Sequence, residues 1–103
     1  MSQWHRAASL DEMQEGEPLA MQVGEVALAV YKLGCEAHAI GDLCPHQKDV
    51  KLSDGFVDGD VVECPMHQSC FDIRTGKVMG PPAREDVPSY PVKIEDGVVY
   101  VEV

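Results

Sequence analysis

Tyr90-Pro-Val-Lys-Ile-Glu-Asp-Gly-Val-Val-Tyr-Val-Glu-Val103 sets two strand-like runs, Tyr90 to Ile94 and Val98 to Val103, on either side of Asp96-Gly97. β-Branched and aromatic residues suit a pleated, half-buried surface, and Asp-Gly supplies the left-handed positions of a tight hairpin turn. The stretch reads as a β-hairpin, and the same grammar recurs upstream. Strands are expected over Trp4 to Ala7, Leu19 to Val23, Glu25 to Leu33 and Ala37 to Ile40, with turns at Gly24 and Gly34. Gly55 to Val57 and Val61 to Cys64 flank Asp58-Gly59, and Cys70 to Ile73 and Lys77 to Val78 flank Thr75-Gly76. Helical spacing is nowhere sustained over a dozen residues. The one helical turn expected, Ser9 to Met13, carries Ser9 and Glu12 at capping-box spacing. Residues 79–91 hold Pro81, Pro82, Pro88 and Pro91 and read as an ordered, strand-poor loop. The chain is expected to be all-β.

With 103 residues, 45% hydrophobic and 25% charged, the sequence fits one globular domain spanning 1–103, with no internal repeat. Its 18 acidic residues against 8 basic ones give a formal charge of -10, which repels nucleic acid and anionic lipid. A basic protein partner, cation binding or plain solubility each accounts for that acidity. The first residues lack a cationic stretch followed by an apolar run, and the longest apolar run is Val26 to Tyr31, so a cytoplasmic, unanchored protein is expected. In a reducing compartment four cysteines serve better as thiols or metal ligands than as disulfides.

Two short segments carry the chemistry, Asp42-Leu-Cys-Pro-His-Gln47 and Glu63-Cys-Pro-Met-His-Gln-Ser69. Cys44 and His46 form C-x-H, Cys64 and His67 form C-x-x-H, and the 17 residues from Gln47 to Glu63 contain the first of the later hairpins. That separation lets two loops return to the same end of a β domain. Pro45 and Pro65 stiffen them by fixing φ, which lowers the entropy lost on binding a metal. Four ligands of this kind suit a structural zinc site or an iron-sulfur cluster; unrelated surface His and buried Cys are the bland alternative. Zinc sites usually keep like ligands together, whereas here each loop mixes them. In a cluster with two thiolates on one iron and two imidazoles on the other, each loop must reach both irons, which the mixed pairs do naturally.

On these residues the sequence resembles the Rieske family. Leu52-Ser-Asp-Gly-Phe-Val-Asp-Gly-Asp60, Phe71-Asp-Ile-Arg-Thr-Gly-Lys77, Gly80-Pro-Pro82 and Tyr90-Pro-Val-Lys-Ile94 extend the likeness to the small Rieske ferredoxins of bacterial ring-hydroxylating oxygenases. The resemblance implies one 2Fe-2S cluster with Cys44 and Cys64 on one iron, His46 and His67 on the other, and Gly80-Pro81-Pro82 packed over it as a third wall. It further implies a one-electron carrier, not itself an enzyme, between a flavoprotein ferredoxin reductase using NAD(P)H and a terminal oxygenase. The expected architecture is an antiparallel sandwich or barrel-like base, closed by the terminal strands, with residues of about 42–82 inserted as a cluster-binding lobe. The chain carries no G-x-G-x-x-G nucleotide fingerprint. A monomer with no nucleic-acid or membrane partner is expected. Two other readings stay open, a Rieske-like small subunit of a nitrite reductase and a zinc-stabilised β interaction module.

Departures from the respiratory branch of that family bear on potential. That branch has two further cysteines, joined as a disulfide, where this chain has Asp49 and Met66, and a hydrogen-bonding Tyr where it has Phe71. Fewer donors to the cluster sulfurs imply a lower potential, while Ser69 falls where that branch places a Ser bonded to a bridging sulfide. Cys35 and Cys70 are expected as two free thiols, His5 and His38 as bland half-exposed or core residues, and Trp4 as core or edge packing.

Overall fold

The computed structural model describes residues 3–43, 50–65, 69–79 and 85–103. Among them lie ten strands: β1 (Trp4–Ser9), β2 (Leu19–Val23), β3 (Val26–Leu33), β4 (Glu36–Gly41), β5 (Phe56–Asp58), β6 (Val61–Glu63), β7 (Cys70–Asp72), β8 (Ser89–Tyr90), β9 (Val92–Glu95) and β10 (Val98–Glu102). They form three sheets with strand orders β1-β10-β9, β2-β3-β4-β8 and β5-β6-β7, every pairing antiparallel. The all-β expectation holds, and the terminal strands β1 and β10 pair as expected. In the hairpin of β9 and β10, Asp96 and Gly97 both take positive φ, 52° and 76°, the mirror-image turn whose twist matches its flanking strands.

The central feature is β3. Its alternate side chains enter two different cores: Ala29, Tyr31 and Leu33 face one with Ile40, Leu52, Val62, Phe71 and Ile73, while Leu28 and Val30 face another with Met13, Val99 and Val101. A strand buried on both faces reads as a continuous apolar run. That explains Val26 to Tyr31, the longest such run in the chain. The sheet of β2, β3, β4 and β8 is thus a wall with the terminal sheet on one side and the small sheet of β5, β6 and β7 on the other.

Four expectations need correction. The run from Tyr90 to Ile94 is not one strand: Tyr90 in β8 pairs with Ala39, whereas Val92 in β9 pairs with Val101. Pro91 lies between, and a residue with no N–H is a natural place to leave one ladder and join the next. The turn at Asp58-Gly59 sits one residue later, because Asp58 pairs with Val61 and leaves Gly59-Asp60 as the loop. The hairpin around Thr75-Gly76 keeps its closure, with the Asp72 N–H donating to the Lys77 carbonyl at 2.8 Å, but its return strand shrinks to a single bridge between Phe71 and Val78. The turn after Ser9 is a short 3-10 helix, Leu10–Glu12, without a capping box. Ser9 instead receives a 3.4 Å hydrogen bond from the Arg6 guanidinium, which also pairs with Glu12 at 3.8 Å.

Candidate metal centre

Each of the two Cys-His segments is closed at its base by antiparallel contacts. Leu43 bridges to Lys51, and the Leu52 N–H donates to the Asp42 carbonyl at 2.6 Å, so the chain leaving β4 returns beside its starting point. In the second segment Glu63 pairs with Cys70, and the Cys64 N–H donates to the Ser69 carbonyl at 2.7 Å. The loop from Cys64 to Ser69 is therefore the connection of the β6–β7 hairpin. Val50, at the end of the first segment, and Cys64, at the start of the second, belong to the same buried cluster. The two loop bases thus share one core.

A third segment departs and returns beside them. The Met79 N–H donates to the Cys70 carbonyl at 2.6 Å, the Val78 N–H to the Asp86 carboxylate at 2.9 Å and the Val87 N–H to the Gly76 carbonyl at 2.9 Å. Val87 joins the core that holds Val50 and Cys64. Of the residues singled out in the sequence, Cys64 and Ser69 are both buried at these closures. Cys44, His46, His67, Pro81 and Pro82, along with Asp49 and Met66, lie outside the described residues. Phe71 is fully buried in β7 behind the second loop.

The remaining candidates take structural places. Cys35 is an exposed free thiol in the β3–β4 turn, so it forms no disulfide with Cys70. Burial, and then the nearby charge of Glu63, pushes the Cys70 thiol up from its ordinary range. The His38 Nε2–H donates to the Glu36 carboxylate at 3.0 Å, and the Arg74 guanidinium donates to the same carboxylate at 2.7 Å. Its bonds to His38 and to Arg74 hold the Glu36 carboxyl below the usual glutamate range. His5 is half-buried in β1. Trp4 is 40% exposed, with the Lys93 ammonium 4.6 Å from its ring centroid, an edge-packing role.

Two residues that sequence reading passed over lie at the first loop. Asp42 is 2% exposed, and its carboxylate accepts from the Ser53 N–H at 2.7 Å and from the Ser53 hydroxyl at 2.9 Å. Tyr31 buries a hydroxyl that has no hydrogen-bond partner among the described residues. Burial, reinforced by the charge of Asp42, holds that phenol protonated well above the usual tyrosine range. Asp42 had a faint signal, an acidic residue directly after an apolar strand; Tyr31 had none.

Three small antiparallel sheets, with the bases of the two Cys-His segments sharing one buried core, make an all-β scaffold. The chain belongs to the Rieske 2Fe-2S domain family, which it matches over residues 3–91. It is 43% identical over 103 residues to the anthranilate 1,2-dioxygenase ferredoxin subunit of Burkholderia cepacia, covering 100% of this chain and 94% of that protein. The solved structure of the Sphingomonas yanoikuyae B1 ferredoxin superposes with a TM-score of 0.89 at 37% identity, covering 98% of this chain and 99% of that one. A chain in the solved complex of reduced oxygenase and oxidized ferredoxin in carbazole 1,9a-dioxygenase matches at 35% identity and a TM-score of 0.89, over 95% of this chain and 91% of that one.

A Rieske domain carries a Rieske-type 2Fe-2S cluster. The described residues fit that group: Cys64 is a buried thiol at the mouth of a closed loop, its surroundings are apolar, and the buried Ser69 sits at the opposite end of the same loop. A Rieske-type centre, with two thiolates and two neutral imidazoles around a doubly charged oxidised core, would carry zero net charge, which such an apolar wall would accommodate. No helix among the described residues is long and apolar enough to cross a membrane.

Proposed function

We propose that this chain is a one-electron carrier of an aromatic-ring-hydroxylating oxygenase system, accepting electrons from a flavin-containing, NAD(P)H-dependent reductase and delivering them to a terminal oxygenase. The observation that carries this reading is the match to a dioxygenase ferredoxin subunit along 100% of the chain and 94% of that relative. In it, Cys44 and Cys64 hold one iron, and His46 and His67 the other. When bound, the cluster supplies a reversible one-electron couple, at about -150 to +300 mV for this ligand type.

The chain's own residues hold the loops and limit solvent. The closures at Leu43–Lys51 and Cys64–Ser69 fix where each loop begins and ends, so little backbone entropy is lost on assembly. Burial of Cys64 and Phe71 keeps water from the protein-facing side of the site. Residues of about 42–82 act as the cluster-binding lobe; the sheet of β5, β6 and β7 lies within them and pairs with neither other sheet. The chain works as a monomer in the cytoplasm, where the exposed Cys35 thiol stays reduced.

The test is the purified protein itself. A coloured protein with two irons and two acid-labile sulfides, which supports ring hydroxylation when combined with a reductase and an oxygenase component, is the expected result. A colourless protein with stoichiometric zinc overturns the carrier reading. Replacing His46 or His67 by Cys gives the site a more negative charge and lowers its potential; an unchanged potential and turnover overturn the ligand assignment.

A further inference from the structure

We infer that Asp42 is a positioning residue for the first metal-ligand loop, and that its buried charge holds down the electron affinity of the site. The inference rests on the carrier reading above for its redox half only. Asp42 is the pivot where β4 becomes the loop: its N–H donates to Ala27 in β3 at 3.0 Å, and its carbonyl accepts from Leu52 at 2.6 Å. Its side chain then grips Ser53 twice, through the backbone N–H at 2.7 Å and the hydroxyl at 2.9 Å. One residue therefore ties β3, the loop's departure and the loop's return together.

The chemistry of the clamp fixes the charge. Both carboxylate oxygens accept from true donors, the pattern of an ionised acid, at 2% exposure. Among the described residues both hydrogen bonds to this carboxylate come from Ser53, and no cation is among its hydrogen-bond partners. Asp42 stands two residues before Cys44, and two residues of chain span at most about 7 Å. A unit negative charge at about 10 Å in an effective dielectric of about 20 changes an equilibrium constant on the order of tenfold. Adding an electron beside Asp42 is opposed to that extent. Ser53 holds the carboxylate in one place.

Two variants of the full-length protein separate placement from charge. Asp42→Asn keeps the shape and an acceptor oxygen but removes the charge; Ser53→Ala keeps the charge and the backbone bond but removes the hydroxyl. In the cluster-loaded protein, Asp42→Asn raises the equilibrium constant for accepting one electron about tenfold, and Ser53→Ala changes it less than threefold. In both variants the Leu52 amide exchanges with solvent faster than in the parent, which is read by hydrogen exchange with or without a cluster. An unchanged midpoint in Asp42→Asn, or an equal shift in Ser53→Ala, overturns the charge role. Unchanged Leu52 exchange in Ser53→Ala overturns the clamp, and that variant decides alone if Asp42→Asn does not fold. A protein that binds no cluster defeats the carrier reading, while the exchange measurement still decides the clamp.

Discussion

Gly76 lies so close to Val87 that a Cβ on it would stand 2.1 Å from the Val87 carbonyl oxygen. The neighbour is backbone and cannot swing aside, and Gly76 also holds a positive φ of 79°. Gly76→Ala therefore carries left-handed strain of about 1–2 kcal/mol together with a steric clash that must part the two chains. We expect a loss of at least about 2 kcal/mol in urea unfolding. A loss under about 0.5 kcal/mol would show that this contact is not tight in solution.

Tyr31→Phe is expected to leave stability unchanged or raise it by up to about 2 kcal/mol, because it removes a buried hydroxyl with no partner among the described residues and leaves the ring's packing in place. Replacing a fully buried aromatic that makes only packing contacts acts the other way: Phe71→Ala opens a cavity and costs about 3–5 kcal/mol. Chemical denaturation of the two variants side by side checks both. Marked destabilisation by Tyr31→Phe would mean that the hydroxyl has a bonding partner in solution.

The same tyrosine sets an alkaline limit. Burial, and then Asp42, raises its folded pKa, so its neutral form is the one the fold accommodates. Its stabilising contribution is fully present below the unfolded value of about 10 and is lost as pH rises toward the folded one. Unfolding measured from pH 8 to 12 should show stability falling above about pH 10, with a shallower fall in Tyr31→Phe. Identical slopes in the two proteins would count against the burial of an ionisable phenol.

Glu36 offers a titration that involves no unfolding. Hydrogen bonds from His38 and Arg74 lower its pKa, so its side-chain carboxyl carbon should titrate below those of the other exposed glutamates when followed by NMR. His38→Ala and Arg74→Ala should each move it upward. If neither does, the three side chains are not in contact in solution. Glu36 and Arg74 lie on the surface with His38 half-buried beside them, and the cluster is not expected to alter global stability much.

Voltammetry of the cluster-loaded protein should place the midpoint in the lower part of the range of about -150 to +300 mV. Phe71 has no hydroxyl to offer a sulfur, and Asp42 adds negative charge beside the first loop. A value near the upper limit would sink that reasoning. Stripping the iron should lower the melting temperature, since the loops would then be held only at their bases.

Most of the fold was legible because its rules are local. Alternation and turn dipeptides located the Asp96-Gly97 turn and the strands β2, β3 and β4 to within a residue or so. They could not show that Pro91 divides a single run between two sheets, since which ladder a strand joins is settled by tertiary pairing. Nor could they show that Ser9 would bond with Arg6 in place of capping a turn. At the candidate site, Cys64 stood out by its spacing to His67, whereas Asp42 had only its place directly after an apolar strand. A buried carboxylate and a surface one look alike in sequence; they differ only in whether a donor such as Ser53, eleven positions away, folds back to meet them.

Tyr31 and Val30 are chain neighbours that look into separate interiors. Any substitution large enough to move the backbone of β3 is therefore judged twice, once by the packing behind the loops and once by the packing under the terminal hairpin. The two halves cannot drift independently, and variation among related chains should spare this strand more than the terminal sheet's outer face. Changes that retune the redox end are easiest where they leave β3 in place, on the loops and at their anchoring residues.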